Sequence, residues 1–165
     1  MRKGLLYAVI AVALVILDQV VKVLVRTYIP LGTSVGFLPG IMDLTYVQNT
    51  GAAFSLFREH TWLLALISAV ASVVLVVLLI RRVFSSTAAN VLLSVVRSGA
   101  VGNLIDRLFL GYVTDMFKTT FMNFAVFNVA DICLVCGIIA LCVYVVFFES
   151  REKKEDGHDA ADPEG

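Results

Sequence analysis

Residues 62–80 read WLLALISAVASVVLVVLLI, a run without one charged side chain. About 20 mostly apolar residues are what an α-helix needs to cross the hydrocarbon core of a bilayer. The chain has 165 residues, of which 59% are hydrophobic and only 16% charged, against about 25% charged in ordinary soluble domains. One domain of this size cannot hide that much apolar surface in a core, so lipid must cover much of it. The formal net charge is zero, which leaves no basic surface for nucleic acid.

Three more segments qualify as spans, to different degrees. Residues 126–148 carry Asp131 as their only charge. Residues 4–27 are apolar up to Leu17 and then bring Asp18, Gln19 and Lys22. Residues 89–110 contain Arg97, Asp106 and Arg107. Ionisable groups inside a span are costly and mark function, so the imperfect spans carry the information. The first has the basic start of a signal peptide (Arg2, Lys3) but no small-residue cleavage site, and Asp18-Gln19 follows the apolar run directly; it reads as a retained span. The expected architecture is an α-helical membrane protein with four transmembrane helices. A small β-rich extracytoplasmic subdomain is expected at 28–61, where MDLTYVQN and AAFSLF are bounded by Gly32, Gly36, Pro39-Gly40 and Gly51.

Basic residues set orientation. Arg2 and Lys3, Arg81 and Arg82, and Arg151, Lys153 and Lys154 fall on one side of a four-span arrangement. That side is expected to be cytoplasmic, with both termini. Residues 149–165 are charged and lack apolar periodicity, as a disordered cytoplasmic tail would.

On this topology the polar residues converge at one depth, the outer membrane boundary. Asp18 and Lys22 share a helix face in the first span. Asn49 lies in the outer loop, Asn103, Asp106 and Arg107 end the third span, Asp115 follows, and Asn128 and Asp131 open the fourth. Arg97 alone lies deeper. Each has a plainer reading. Asp18 and Lys22 suit a structural ion pair, Asn103 and Asn128 could bond neighbouring helices, and Arg107 could meet lipid headgroups. Asp115 could be an ordinary loop residue. Asp131 is hardest to dismiss, although the helix N-terminus supports it. Two carboxylates brought together at such a boundary tend to share one proton. One can then activate water while the other donates a proton, as in aspartic proteolysis. The spacing of Asp115 and Asp131 allows the connection to fold back and oppose them.

The three cysteines, Cys133, Cys136 and Cys142, all lie in the last span. The C-x-x-C pair has no histidine or second pair nearby and reads as small apolar filling.

Taken in order, LDQVVK (17–22), QNTGAAFS (48–55), GAVGNLIDR (99–107), GYVTDMF (111–117) and FNVAD (127–131) resemble the motifs of signal peptidase II, a family of bacterial intramembrane aspartic endopeptidases. The resemblance runs from about Leu17 to Gly137. It implies a catalytic dyad of Asp115 and Asp131. Asn49, Gly51, Asn103, Asp106, Arg107 and Asn128 would shape the site or hold substrate, and Asp18 and Lys22 would be a structural polar pair. It implies removal of the signal peptide from prolipoproteins, before a cysteine that carries a diacylglyceryl group, in the bacterial cytoplasmic membrane. No metal, no cofactor and no obligate protein partner are implied; the partners are lipidated prolipoproteins and membrane lipids. The chain departs from the pattern at Ser98, where glycine is frequent, at Arg97, where an apolar residue is usual, and at Met116, which separates Asp115 from Phe117.

Three rival functions are distinguishable. D-R-x3-G-x3-D at 106–115 overlaps a metal-dependent phosphatidyl-alcohol transferase pattern, but Thr119 stands where a further aspartate is needed. An ion or proton carrier using Asp18, Lys22 and Asp131 should line a path across the membrane, whereas the second span is uncharged. A quinone-linked redox role for Cys133 and Cys136 would need them at the outer surface, and they lie deeper than Asp131.

Overall fold

The computed structural model describes residues 2–51, 61–81, 84 and 86–149. The AAFSLF piece, Arg82 and the charged tail beyond 149 lie outside the described residues. The elements are α1 (Arg2–Tyr28), β1 (Ser34–Leu38), β2 (Met42–Asn49), α2 (Thr61–Ile80), α3 (Thr87–Leu110), β3 (Val113–Thr119) and α4 (Val129–Tyr144), which continues as a π-helical turn over Val145–Glu149. Among the described residues, Lys3–Tyr28, Thr87–Leu110 and Val129–Phe148 are long and apolar enough to cross a membrane. The uncharged run forms α2, a helix of 20 residues.

α3 is the hub, with α1, α2 and α4 all packed on it. Contact with α4 is close because glycines line the seam. A Cβ at Gly99 would strike Leu134 and the Ala130 carbonyl, and one at Gly137 would come within 2.9 Å of Val96. Small residues let membrane helices approach where no hydrophobic force between them exists. The outward faces remain apolar and exposed, for example Val9, Val12 and Ile16 on α1 and Val135 and Ile139 on α4, as lipid contact requires.

The three strands form one antiparallel sheet in the order β1-β2-β3. The sequence placed β structure only in the connection at 28–61; the third strand comes from the connection after α3. Gly111 ends α3 in the left-handed region at φ 76°, its N–H donating to the Arg107 carbonyl, and this sharp turn sends the chain into β3. The register pairs Val47 with Asp115 and Asn49 with Val113. Val25 and Ile29 of α1 pack with Tyr46 and Met116 to fix the sheet on the helix end.

Residues 126–128 are not yet helical. Phe127 forms a bridge with Phe117, and its carbonyl accepts from the N–H groups of Met116 and Phe117. The chain thus folds back along β3 before α4 begins, which sets Asn128 beside Asp115.

Candidate active site

α4 begins among polar groups. The first turn of any helix leaves backbone N–H groups without intrahelical partners, and in a low-dielectric setting these must be met. Asn128 caps α4: its Oδ1 accepts from the Asp131 N–H at 2.9 Å, and its own N–H donates to Asp131 Oδ2 at 3.1 Å. This reciprocal capping box fixes the Asp131 side chain. The Ala130 N–H, a third donor, goes to Asp18 Oδ1 at 2.9 Å.

Asn128 also holds the second carboxylate. Its Nδ2 donates to Asp115 Oδ1 at 2.7 Å and to Asn103 Oδ1 at 3.2 Å. The other Asp115 oxygen accepts from Asn49 Nδ2 at 2.8 Å. Asn49 is oriented in turn by the Gly51 N–H, which donates to its Oδ1 at 2.9 Å. Asp131 Oδ1 accepts from Asn103 Nδ2 at 2.7 Å. Three neutral amides therefore hold two carboxylates, and no lysine or arginine makes an ion pair with either among the described residues.

Asp115 and Asp131 both line a cavity of about 200 Å³, together with Asn49, Asn103 and Arg107. Its opposite wall is apolar: Phe124, Val126, Phe127 and Val135. The Arg107 guanidinium interacts electrostatically with Asp131, Asp115 and Asp106. Burial, and then the nearby charge of Asp131, push the Asp115 carboxyl from 3.8 up to about 7, against the opposing hydrogen bonds of Asn49 and Asn128. This is the expected behaviour of paired, desolvated carboxylates.

A separate charge cluster lies behind. Lys22 Nζ is 2.9 Å from Asp18 Oδ2 and 3.4 Å from Asp106 Oδ2, all three fully buried. It also donates to Asn103 Oδ1 at 3.0 Å. Asp106 Oδ2 accepts the Thr114 N–H at 2.8 Å, which ties α3 to β3 one residue before Asp115. Asp106 thus belongs with the Asp18–Lys22 pair and not with the cavity wall. It turns to Lys22, Gln19 and Thr114, so Asp106 and Asp115 do not form one chelating face.

Two residues that sequence reasoning left without a role belong here. Gln19 Nε2 reaches Asp18, Asp106 and the Gly102 carbonyl within 3.2 Å. Thr114 accepts from Arg26 Nη1 at 2.8 Å. Both sit inside motifs already conspicuous, beside Asp18 and Asp115, which was the available signal. Gly102 leaves room for the cluster, since a Cβ there would lie 2.6 Å from Asp18 Oδ2.

A helical membrane protein with two amide-held carboxylates at the sheet end of its bundle has the layout of an intramembrane aspartic peptidase. The model of the family described as signal peptidase (SPase) II matches residues 10–147. The lipoprotein signal peptidase of Enterococcus faecalis is 44% identical over 153 residues, covering 93% of this chain and 95% of that protein. That of Lactiplantibacillus plantarum is 41% identical over 148 residues, covering 90% and 99%. A solved bacterial membrane enzyme superposes with a TM-score of 0.81 at 31% identity, covering 90% of this chain and 92% of its own. The chain belongs to the signal peptidase II family, whose members are aspartic peptidases of the membrane.

Proposed function

We propose that this family member removes the signal peptide from prolipoproteins, cutting before a diacylglyceryl-modified cysteine, with Asp115 and Asp131 as the catalytic pair. The observation that carries this reading is Asn128, whose side-chain amide donates to the Asp115 carboxylate and whose backbone N–H donates to the Asp131 carboxylate, the two aspartates both lining one cavity. Below about pH 7 Asp115 holds the proton of the pair. Asp131 takes a proton from water as the water oxygen attacks the scissile carbonyl carbon. Asp115 gives its proton to the carbonyl oxygen, forming a neutral gem-diol. When the C–N bond breaks, Asp131 returns its proton to the leaving nitrogen and Asp115 recovers one from the hydroxyl. Arg107 is suited to orient peptide carbonyls at the rim, and Asn49, Asn103 and Gly51 to hold the carboxylates.

The substrate's acyl chains would bring its cysteine to this depth, beside Phe124, Val126 and Phe127. In this reading four spans cross the cytoplasmic membrane with Arg2, Lys3 and Arg81 inside, and the sheet and the site would lie near the extracytoplasmic face. The test is cleavage in detergent of two peptides, one with a diacylglyceryl-cysteine and one with a bare cysteine, with a chelator present throughout. Cutting confined to the lipidated peptide and insensitive to chelator supports the substrate assignment. Equal cutting of both peptides, or of neither, refutes it.

A further inference from the structure

Arg97 stands apart from the other charges of the helices. Lys22 is held by two carboxylates, Arg26 donates to Thr114, and Arg107 lines the active-site cavity. Arg97 makes no hydrogen bond or ion pair among the described residues. At 1.5 Å per residue it lies about 15 Å along α3 from Thr87 and about 20 Å from Leu110, close to the middle of the span.

It is also only half-buried, on a different face from the active site. Arg97 lines a cavity of about 250 Å³ with Ala11, Val12, Val15 and Ile16 of α1, Val76 of α2 and Val101 of α3. Among the described residues the one other polar lining group, the Ser98 hydroxyl, donates to the Val95 carbonyl at 2.6 Å. A guanidinium carries five N–H donors and cannot give up its charge. In hydrocarbon those donors must find acceptors, and the described residues make no hydrogen bond to them.

We propose that the groove between α1, α2 and α3 is a phospholipid site, in which Arg97 holds the phosphate of a lipid from the leaflet on the Thr87 side. The groove opens onto the lipid-facing surface, where Val12 and Ile16 are each 56% exposed, so the medium that fills it is the bilayer itself. The phosphodiester is the acceptor-rich group that bilayer offers, and a guanidinium engages it through paired N–H bonds. The arginine stem is long enough to lean toward the nearer interface and draw the headgroup inward. The valines and Ile16 provide the bed for an acyl chain.

The experiment is lipid retention measured by native mass spectrometry. Purified, delipidated protein is titrated with phosphatidylglycerol, and separately with a diacylglycerol of the same chains, which lacks the phosphate. The native chain is expected to hold one phosphatidylglycerol about tenfold or more tighter than Arg97→Leu, with Arg97→Lys in between. Val15→Trp, which fills the groove and leaves the charge, should lose the lipid as well. The melting temperature in lipid-free detergent establishes that each variant is folded. Equal retention by native and Arg97→Leu protein overturns the proposal, as does equal binding of the diacylglycerol. Displacement by inorganic phosphate would make the site a general anion site and defeat the lipid assignment. A membrane protein that co-purifies with the native chain and is lost in Arg97→Leu would assign the arginine to a protein partner instead.

Discussion

Two groups of carboxylates lie side by side in this molecule and are held by opposite means. Asp18 and Asp106 face an ammonium, Lys22, and stay fixed between charged and backbone partners. Asp115 and Asp131 face amides: Asn49, Asn103 and Asn128. A buried ion pair fixes its members in place, because losing either partner would strand the other charge. An amide carries no charge of its own, and the Arg107 guanidinium acts on Asp115 and Asp131 electrostatically without forming an ion pair with either among the described residues. The first arrangement suits structure and the second suits acid–base chemistry, although Asp106 and Asp115 lie only nine positions apart in the chain.

The largest effect expected from breaking this contrast is on turnover. Asp115→Asn and Asp131→Asn should each lower the rate on a lipidated peptide by on the order of 10³-fold or more while the protein still folds, read by single-turnover cleavage beside a melting curve. A folded variant with native activity would remove that aspartate from the dyad.

Next comes the ion-paired group, where the damage should fall on stability. Lys22→Met leaves Asp18 and Asp106 buried without their cation, at a cost of about 3–5 kcal/mol. Thermal or denaturant unfolding in detergent checks this. Intact stability with lost cleavage would mean that Lys22 acts on the dyad through Asn103 more than it holds the fold.

Asn128 belongs to both descriptions, and two substitutions separate them. Asn128→Ala loses the helix cap, about 1 kcal/mol, as well as the amide bonds. Asn128→Ser keeps a capping oxygen but loses the donor to Asp115. Both should cut turnover, by about 10- to 100-fold if the amide tunes a general acid, and only the alanine variant should also melt early. Native turnover in the serine variant would show that the Asn128 donor is dispensable.

The smallest effect is a pH dependence of stability. Asp115 is raised from 3.8 to about 7 in the folded protein. Between those values the folded state binds more protons than the unfolded one, so this group's contribution is full below about pH 4 and is lost as pH rises to about 7. Asp115→Asn has no such group. Its melting temperature should gain on the native protein's from pH 4 to pH 7 and then level off. Parallel melting curves across that range would mean that Asp115 is not desolvated as described.

Arg97 and Asp131 look alike in the sequence, each a charge within an apolar run. In three dimensions Asp131 has an amide side chain and two capping bonds, and Arg97 has no partner of its own chain among the described residues. Sequence detects the anomaly and cannot say how it is resolved. Likewise Asp106 was legible as a motif residue, but its allegiance to Lys22 and not to the cavity depends on how α1 and α3 pack. The Asp115–Asp131 juxtaposition depends on residues 126–128 remaining extended against β3, where the apolar pattern alone would have started the helix at 126.

The sequence by itself determined the class of protein and the inventory of its chemistry. Apolar runs of membrane length, and the confinement of nearly all polar residues in them to one end, follow from the cost of burying charge in lipid. Only the tertiary structure decided which carboxylate meets a cation and which meets an amide. It also drew the third strand from the connection after α3 and set Arg97 in the groove between α1, α2 and α3. Those outcomes turn on contacts between segments far apart in the chain: Gly102 admitting Asp18, Asp106 gripping the start of β3, Asn128 joining a strand to a helix. Each is a matter of a few ångströms, which hydropathy and spacing along one chain do not encode.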